Sequence, residues 1–203
     1  MPTFFTPSEL DFQPKRKFRF LVSFDGFGYD TTYMVTKTSK PSFELGVSTE
    51  HRILNHTFKF PGIVKWNDID LTLIDALKPN VGLKFYNALL NMGYVQPVSE
   101  DNLYSGITKS SANAALGAVR IKQLDGGSPG LQGKGDQDPS DVSFFSEVKY
   151  YGEWVLKNAF LKSVKWGDLD YSQDEIVTVD VGITYDYATY HATENGLAYG
   201  VGT

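Results

Sequence analysis

Three histidines, His51, His56 and His191, supply all the imidazole in the chain, and no cysteine accompanies them. Base-assisted nucleophilic or metal chemistry would have to be built from these rings with carboxylates and hydroxyls. His51 and His56 stand five apart in a segment without helical period. That is not the i, i+4 spacing of a helical metal pair, and no third ligand lies nearby. Ser146-Glu147-Val148-Lys149 fits the Ser-x-x-Lys pattern of acyl-transfer enzymes, but it falls on strand-like sequence and is short enough to arise by chance. The run Gly130-Leu131-Gln132-Gly133-Lys134-Gly135-Asp136 resembles a phosphate cradle only in part: Gly135 stands where a magnesium-binding Ser or Thr belongs, and Ser128 replaces the first glycine. Asp168, Asp170 and Ser172 imitate the early ligands of a calcium loop. Gln173 then replaces the glycine of its sharp turn, and Val179 its bidentate glutamate. The expectation is no catalytic residue, no metal, no cofactor and no enzyme.

Without chemistry to position, the elements themselves carry the information. The chain has 203 residues, 14% of them aromatic, 19 glycines, and a net charge of −5 from 19 basic and 24 acidic residues. Length argues for one domain, and composition for strands and turns. The acidic balance disfavours a protein that grips nucleic acid through its phosphates. The absence of cysteine removes disulfides and thiolate sites and points to a reducing compartment. No apolar run approaches the roughly 20 residues of a membrane span, and the opening MPTFFTPSEL lacks the order of a secretory signal.

Alternation is clearest in Leu169 to Ala188. Val177, Val179, Val181, Ile183, Tyr185 and Tyr187 form one face, and Thr178, Asp180, Gly182, Thr184 and Asp186 the other. A strand sends these to opposite sides, so one face is core and the other, small and acidic, meets water. Phe18 to Phe24 and Thr31 to Thr36 flank Asp25-Gly26 and predict a first hairpin. The segment 41–62 is a long excursion closed by Pro61-Gly62. Asp68 to Asp75 and Ala118 to Asp125 read as strands, with Val148 to Leu156 as partner of the second. Phe160 to Trp166 and Ile176 to Tyr187 read as the last strands. Val81, Phe85, Ala88, Leu89 and Met92 keep helical spacing, so one helix of about 18 Å is expected, capped by Asn80 and Gly93. The span 96–116 remains unassigned. Residues 1–16 form an N-terminal arm, 17–188 a single domain with an extended loop at 126–143, and 189–203 a flexible tail.

NAFLKSVKWGDLDYSQDEIVTVDVGITYDYA resembles the C-terminal region of tail tube proteins of contractile-tailed bacteriophages, with a D-Y-S turn, then E-I and an alternating strand ending in Y-D-Y. KPSFELGVSTEHRILNHTFKFPGIVKWNDIDLTLID is similar to the first half of that family, and AVRIKQLDGG to the strand before its second hairpin. The resemblance covers about 17–188 in order. It departs in 95–116, in 126–143 and in both terminal segments.

The resemblance implies a mainly β (α+β) fold, two packed antiparallel sheets or a β-barrel with one flanking helix. Copies would form hexameric rings that stack into a hollow conduit for DNA ejection, surrounded by sheath, seated on baseplate proteins and containing a tape measure protein. DNA would pass without specific binding, in a virion tail assembled in the host cytoplasm. Thr178, Asp180, Thr184 and Asp186 are the expected lumen face. Phe43, His51, Arg52, Phe58, Lys59 and Phe60, in an excursion too apolar to stand idle, are the expected inter-subunit contacts. Alternatives are an initiator or terminator ring, the tube of a related contractile injection system such as type VI secretion, and a monomeric β-sandwich that stacks carbohydrate on Trp66, Trp154 or Trp166.

Overall fold

The computed structural model describes residues 15–27, 29–46, 49–100, 102, 106–124, 150–172, 174–194 and 197–199. The loop 126–143, Ser146 to Lys149 and most of the expected N-terminal arm lie outside them.

Two antiparallel sheets pack face to face. The first runs in spatial order β1 (Phe20–Phe24), β8 (Val119–Leu124), β9 (Tyr150–Lys157), β12 (Tyr187–Glu194) and β13 (Leu197–Tyr199). The second runs β10 (Phe160–Trp166), β11 (Thr178–Thr184), β7 (Ile69–Ile74) and β2 (Val35–Thr38). Neither closes into a barrel among the described residues, so of the two expected forms the packed sheets are the ones present.

Period-two patterning decides which faces meet. Val22, Phe24, Val119, Ile121 and Leu156 of the first sheet and Ile69, Leu71, Leu73, Val179, Val181 and Ile183 of the second share one buried cluster. Helix α1 (Val81–Asn91) adds Val81 and Phe85, whose ring meets those of Phe24 and Phe27 edge-on at 6.1 and 5.0 Å. The Asn80 side chain accepts the Leu83 N–H at 2.7 Å, as an N-cap should. At the other end Met92 is the cap, and Gly93 follows at φ +103°, a backbone conformation that favours glycine.

Several expectations fail for reasons of non-local pairing. The predicted first hairpin does not form: β1 pairs with β8, and β2 pairs with β7. Between β1 and β2 the chain makes a 3-10 segment, Tyr29–Met34. A second helix, α2 (Lys109–Leu116), occupies the unassigned span, so two helices flank the sheets rather than one. The last predicted strand divides after Thr184, because β11 belongs to one sheet and β12 to the other. Tyr185 stays in the core, whereas Tyr187 is 47% exposed on the other side of this corner. Within the span expected as a tail from 189, β12 pairs with β9 as far as Ala192, and β13 pairs back on β12.

The excursion 41–62 is no loop. β3 (Ser42–Leu45) pairs with β6 (Val64–Asn67), and β4 (Thr49–Ile53) with β5 (His56–Phe60). Both pairings share one register, which the Gly46 N–H to Ile63 carbonyl bond at 2.8 Å continues between them. Together the two short pairs, each roughly 13–17 Å long at about 3.3 Å per residue, make up the arm. At its base Trp66 packs on Phe43 and on core Tyr185, with ring centroids 5.5 and 6.0 Å apart.

Candidate assembly surfaces

Three surfaces stand out: the wet face of the second sheet, the hairpin arm, and a corner where strands change sheets.

On the second sheet Thr178, Asp180 and Thr184 of β11 point away from the core, as their alternation requires. Asp180 accepts the Thr72 hydroxyl at 2.7 Å. Register places Lys37, Thr72, Asp180 and Lys165 in one row across all four strands, and Asp70, Gly182 and Ser163 in the next. Toward the end of the face the Lys162 ammonium donates to Asp68 at 2.6 Å and holds that carboxyl below its ordinary range. The acidity expected from β11 alone is therefore offset by lysines from its neighbours, and the face alternates in sign. Asp186 does not share this face.

Asp186 stands instead at the corner between β11 and β12. There it takes the Lys109 ammonium at 2.7 Å and the Asn158 amide at 2.8 Å. Asn158, at φ +55°, turns the chain from β9 of one sheet to β10 of the other, and Asn113 of α2 donates to it at 3.2 Å. The two sheet-changing corners and α2 are thus tied together. Lys109, then Asn158, holds the Asp186 carboxyl below its usual range.

Along the arm one face carries Phe43, Leu45, His51, Ile53, Phe58, Phe60, Val64 and Trp66, and the other Glu50, Arg52, Thr57 and Lys59. The predicted contact set is split by this register: Phe43, His51, Phe58 and Phe60 share the apolar side, whereas Arg52 and Lys59 lie opposite, Lys59 paired with Glu50 at 3.2 Å. Phe43, Phe58 and Phe60 are each more than half exposed. A two-stranded hairpin with a bare aromatic side is marginal in water by itself.

The residues weighed above for their chemistry fall on separate elements. His51 and His56 lie on the arm, and His191 on β12, 3.3 Å from the Thr189 hydroxyl. Among the described residues no group of three or more His, Asp or Glu side chains could hold a metal. Asp170 spends its carboxylate locally, accepting the Ser172 N–H at 2.9 Å and hydroxyl at 2.8 Å, and the N–H is the larger cause of its lowered pKa. Of the tryptophans, Trp154 stacks on Tyr190 at 4.7 Å, and Trp166, half exposed, lies in a hollow with Gly82, Leu83 and Tyr86. With Trp66 at the arm's base, the three lie on different elements.

No family model and no curated protein sequence matches the chain. Solved structures do. A chain of the sheath–tube complex of an extracellular contractile injection system (PVC) in the extended state superposes with a TM-score of 0.57 at 16% identity, covering 93% of this chain and 99% of the other. A chain of the same system's sheath/tube terminator gives 0.58 at 15% identity, with 90% and 99% covered. A chain of the anti-feeding prophage cap, a tube-terminating cap, gives 0.55 at 18% identity, with 89% and 93% covered. The chain therefore has the tail tube-like fold, mainly β with antiparallel sheets and two helices.

Proposed function

We propose that the chain is a structural subunit of a contractile phage tail tube, a passive conduit without catalytic residues or cofactor. Copies close into hexameric rings, and the rings stack into a hollow tube inside a sheath, above a baseplate and around a tape measure protein. Its place is the virion, after assembly in the host cytoplasm, and DNA passes through it without specific binding.

The second sheet carries this reading. Among the described residues its border strands β2 and β10 have no further strand beside them. Open borders expose a row of unpaired backbone donors and acceptors, and ring closure is the arrangement that satisfies every border at once. Joining β10 of one copy to β2 of the next continues the sheet around a bore and turns the row of Lys37, Thr72, Asp180 and Lys165 inward. Strands lie about 4.8 Å apart, while charges are screened over about 8 Å at physiological salt. To a passing polyanion such a wall is close to neutral and fully wetted. A tube made to conduct needs that balance.

Electron microscopy of purified protein in negative stain tests the role. Open-ended rods support the tube subunit, isolated rings support an initiator or terminator, and monomers at every concentration overturn both. The lumen assignment has its own test: Asp180→Lys leaves tubes intact but converts the row to three lysines, so payload ejection slows. Unchanged ejection from normal tubes removes Thr178, Asp180 and Thr184 from the bore.

The same fold in chains of an extracellular contractile injection system favours a second reading, the tube of a related contractile injection system. Purified particles that carry no genome would select it.

A further inference from the structure

The core face of the first sheet runs on past its cover. Register puts Phe24, Val119 and Leu156 in one row on that face, and all three are buried in the core. In the next row Ile121 is still buried, but Tyr190 is 37% exposed. Beyond it Phe20 and Gln123 line a cleft of about 760 Å³, whose aromatic floor is Phe20, Trp154 and Tyr190. Gly152 lets that floor lie close to the sheet, because a Cβ there would collide with the Tyr190 phenol. Lys15, Lys17 and Lys40 also line the cleft. Lys40 donates to the neutral Gln123 side-chain oxygen at 3.0 Å, and among the described residues none of the three lysines pairs with a carboxylate. An uncovered core face beside unpaired ammonium groups fits a segment that carries apolar and acidic side chains together.

Such a segment ends where the cleft begins. Residues 1–14 lie outside the described residues and lead directly into Lys15. They contain Glu9 and Asp11 but no Lys or Arg, and Glu9-Leu10-Asp11-Phe12 alternates acidic with apolar. In extended backbone, period two sends Leu10 and Phe12 to one side and Glu9 and Asp11 to the other. Phe12 is three residues from Lys15, within about 10 Å at roughly 3.3 Å per residue. A segment tethered at the edge of its site competes at an effective concentration on the order of millimolar, which favours the cleft's own chain over another copy.

We infer that the cleft is a peptide site occupied by residues 9–12 of its own chain, with Leu10 and Phe12 laid on Trp154 and Tyr190, and Glu9 and Asp11 set against Lys17 and Lys40. The contact gives the first sheet the cover that the second does not provide. It lies at the end of the molecule where Lys40 leads into β3, so the N-terminal segment and the base of the arm are held side by side. It does not depend on the tube reading.

The test uses full-length protein, an equal mixture of ¹⁵N-labelled and unlabelled copies treated with a zero-length carbodiimide cross-linker. Peptides joining Lys40 to Glu9 or Asp11 are expected, with both halves from one isotope. In the double variant L10S/F12S these peptides are lost, and hydroxyl-radical oxidation of Trp154 and Tyr190 rises several-fold. Oxidation of Phe24, 1% exposed in the core, stays at the parent's level and separates a lost contact from a lost fold. Three outcomes overturn the inference. In the first, the joined peptides are of mixed isotope, so that another copy supplies the segment. In the second, Lys40 is joined instead to Asp136, Asp138 or Asp141, which makes the 126–143 loop the cover. In the third, L10S/F12S leaves Trp154 and Tyr190 as slowly oxidised as in the parent.

Discussion

Strand β7 and strand β5 are written in the same alternating code and meet opposite fates. In β7 Ile69, Leu71 and Leu73 are at most 1% exposed, covered by α1 and the facing sheet. In β5 Phe58 and Phe60 are 52% and 56% exposed, with nothing above them among the described residues. Alternation in a sequence thus states that one face must be covered, and leaves open whether the cover is the same molecule. In the body the demand is met by folding; in the arm it is left unmet among the described residues.

The sharpest way to break this comparison is to truncate one ring in each region. Phe85→Ala removes a buried ring packed between Phe24 and Phe27, and costs about 3–5 kcal/mol of subunit stability in urea unfolding. Phe58→Ala changes the same measurement by less than about 0.5 kcal/mol, yet it weakens assembly. A large stability loss from Phe58→Ala would mean that the arm is part of the body's core after all. A smaller effect comes from the arm's tip. Leu54 sits at φ +52°, a left-handed conformation that costs a non-glycine residue on the order of 1 kcal/mol. Leu54→Gly is expected to slow hydrogen exchange of the β4 and β5 amides and to leave the body's amides untouched.

The smallest effect belongs to the corner. The folded-state carboxyl of Asp186 titrates below its unfolded value, so its contribution is present above pH of about 4 and is lost as pH falls through the folded value. Its side chain is 37% exposed and that of Lys109 64%, so solvent screening keeps the pair to less than about 1 kcal/mol. Thermal melting between pH 7 and pH 3 should therefore show a slightly shallower fall in Asp186→Asn than in the parent. Arm exchange rates, which do not depend on this corner, stay parallel in the two proteins.

What could be read beforehand divides along the same line of local against distant causes. Phe160–Trp166 and Ile69–Ile74 were legible because a half-buried strand writes its own period, and α1 because its stripe and its Asn80 cap lie within a dozen residues. α2 was not, since Lys109–Leu116 buries only Ala112 and Leu116 and so has little period to show. Asp25-Gly26 is a sound turn signal, but β1 finds its partner across the molecule in β8, which no local signal reports. The arm's apolar residues were visible and its hairpin was not, because Leu54-Asn55 turns the chain without the glycine that advertises such a turn. The candidate lumen was half legible: Asp180 followed from alternation, whereas Lys37 and Lys165 join its row only through the register of three other strands.

The regular pairing of β4 with β5 sets a rule for the arm's length. Successive side chains alternate sides, so one residue added to each strand preserves pairing but rotates everything beyond the insertion, putting Phe58 and Phe60 where Arg52 and Lys59 now point. Two residues per strand restore the original sidedness. This projection can grow or shrink only by even increments, about 7 Å at a time, and any related chain with a longer or shorter reach should differ from it by that step.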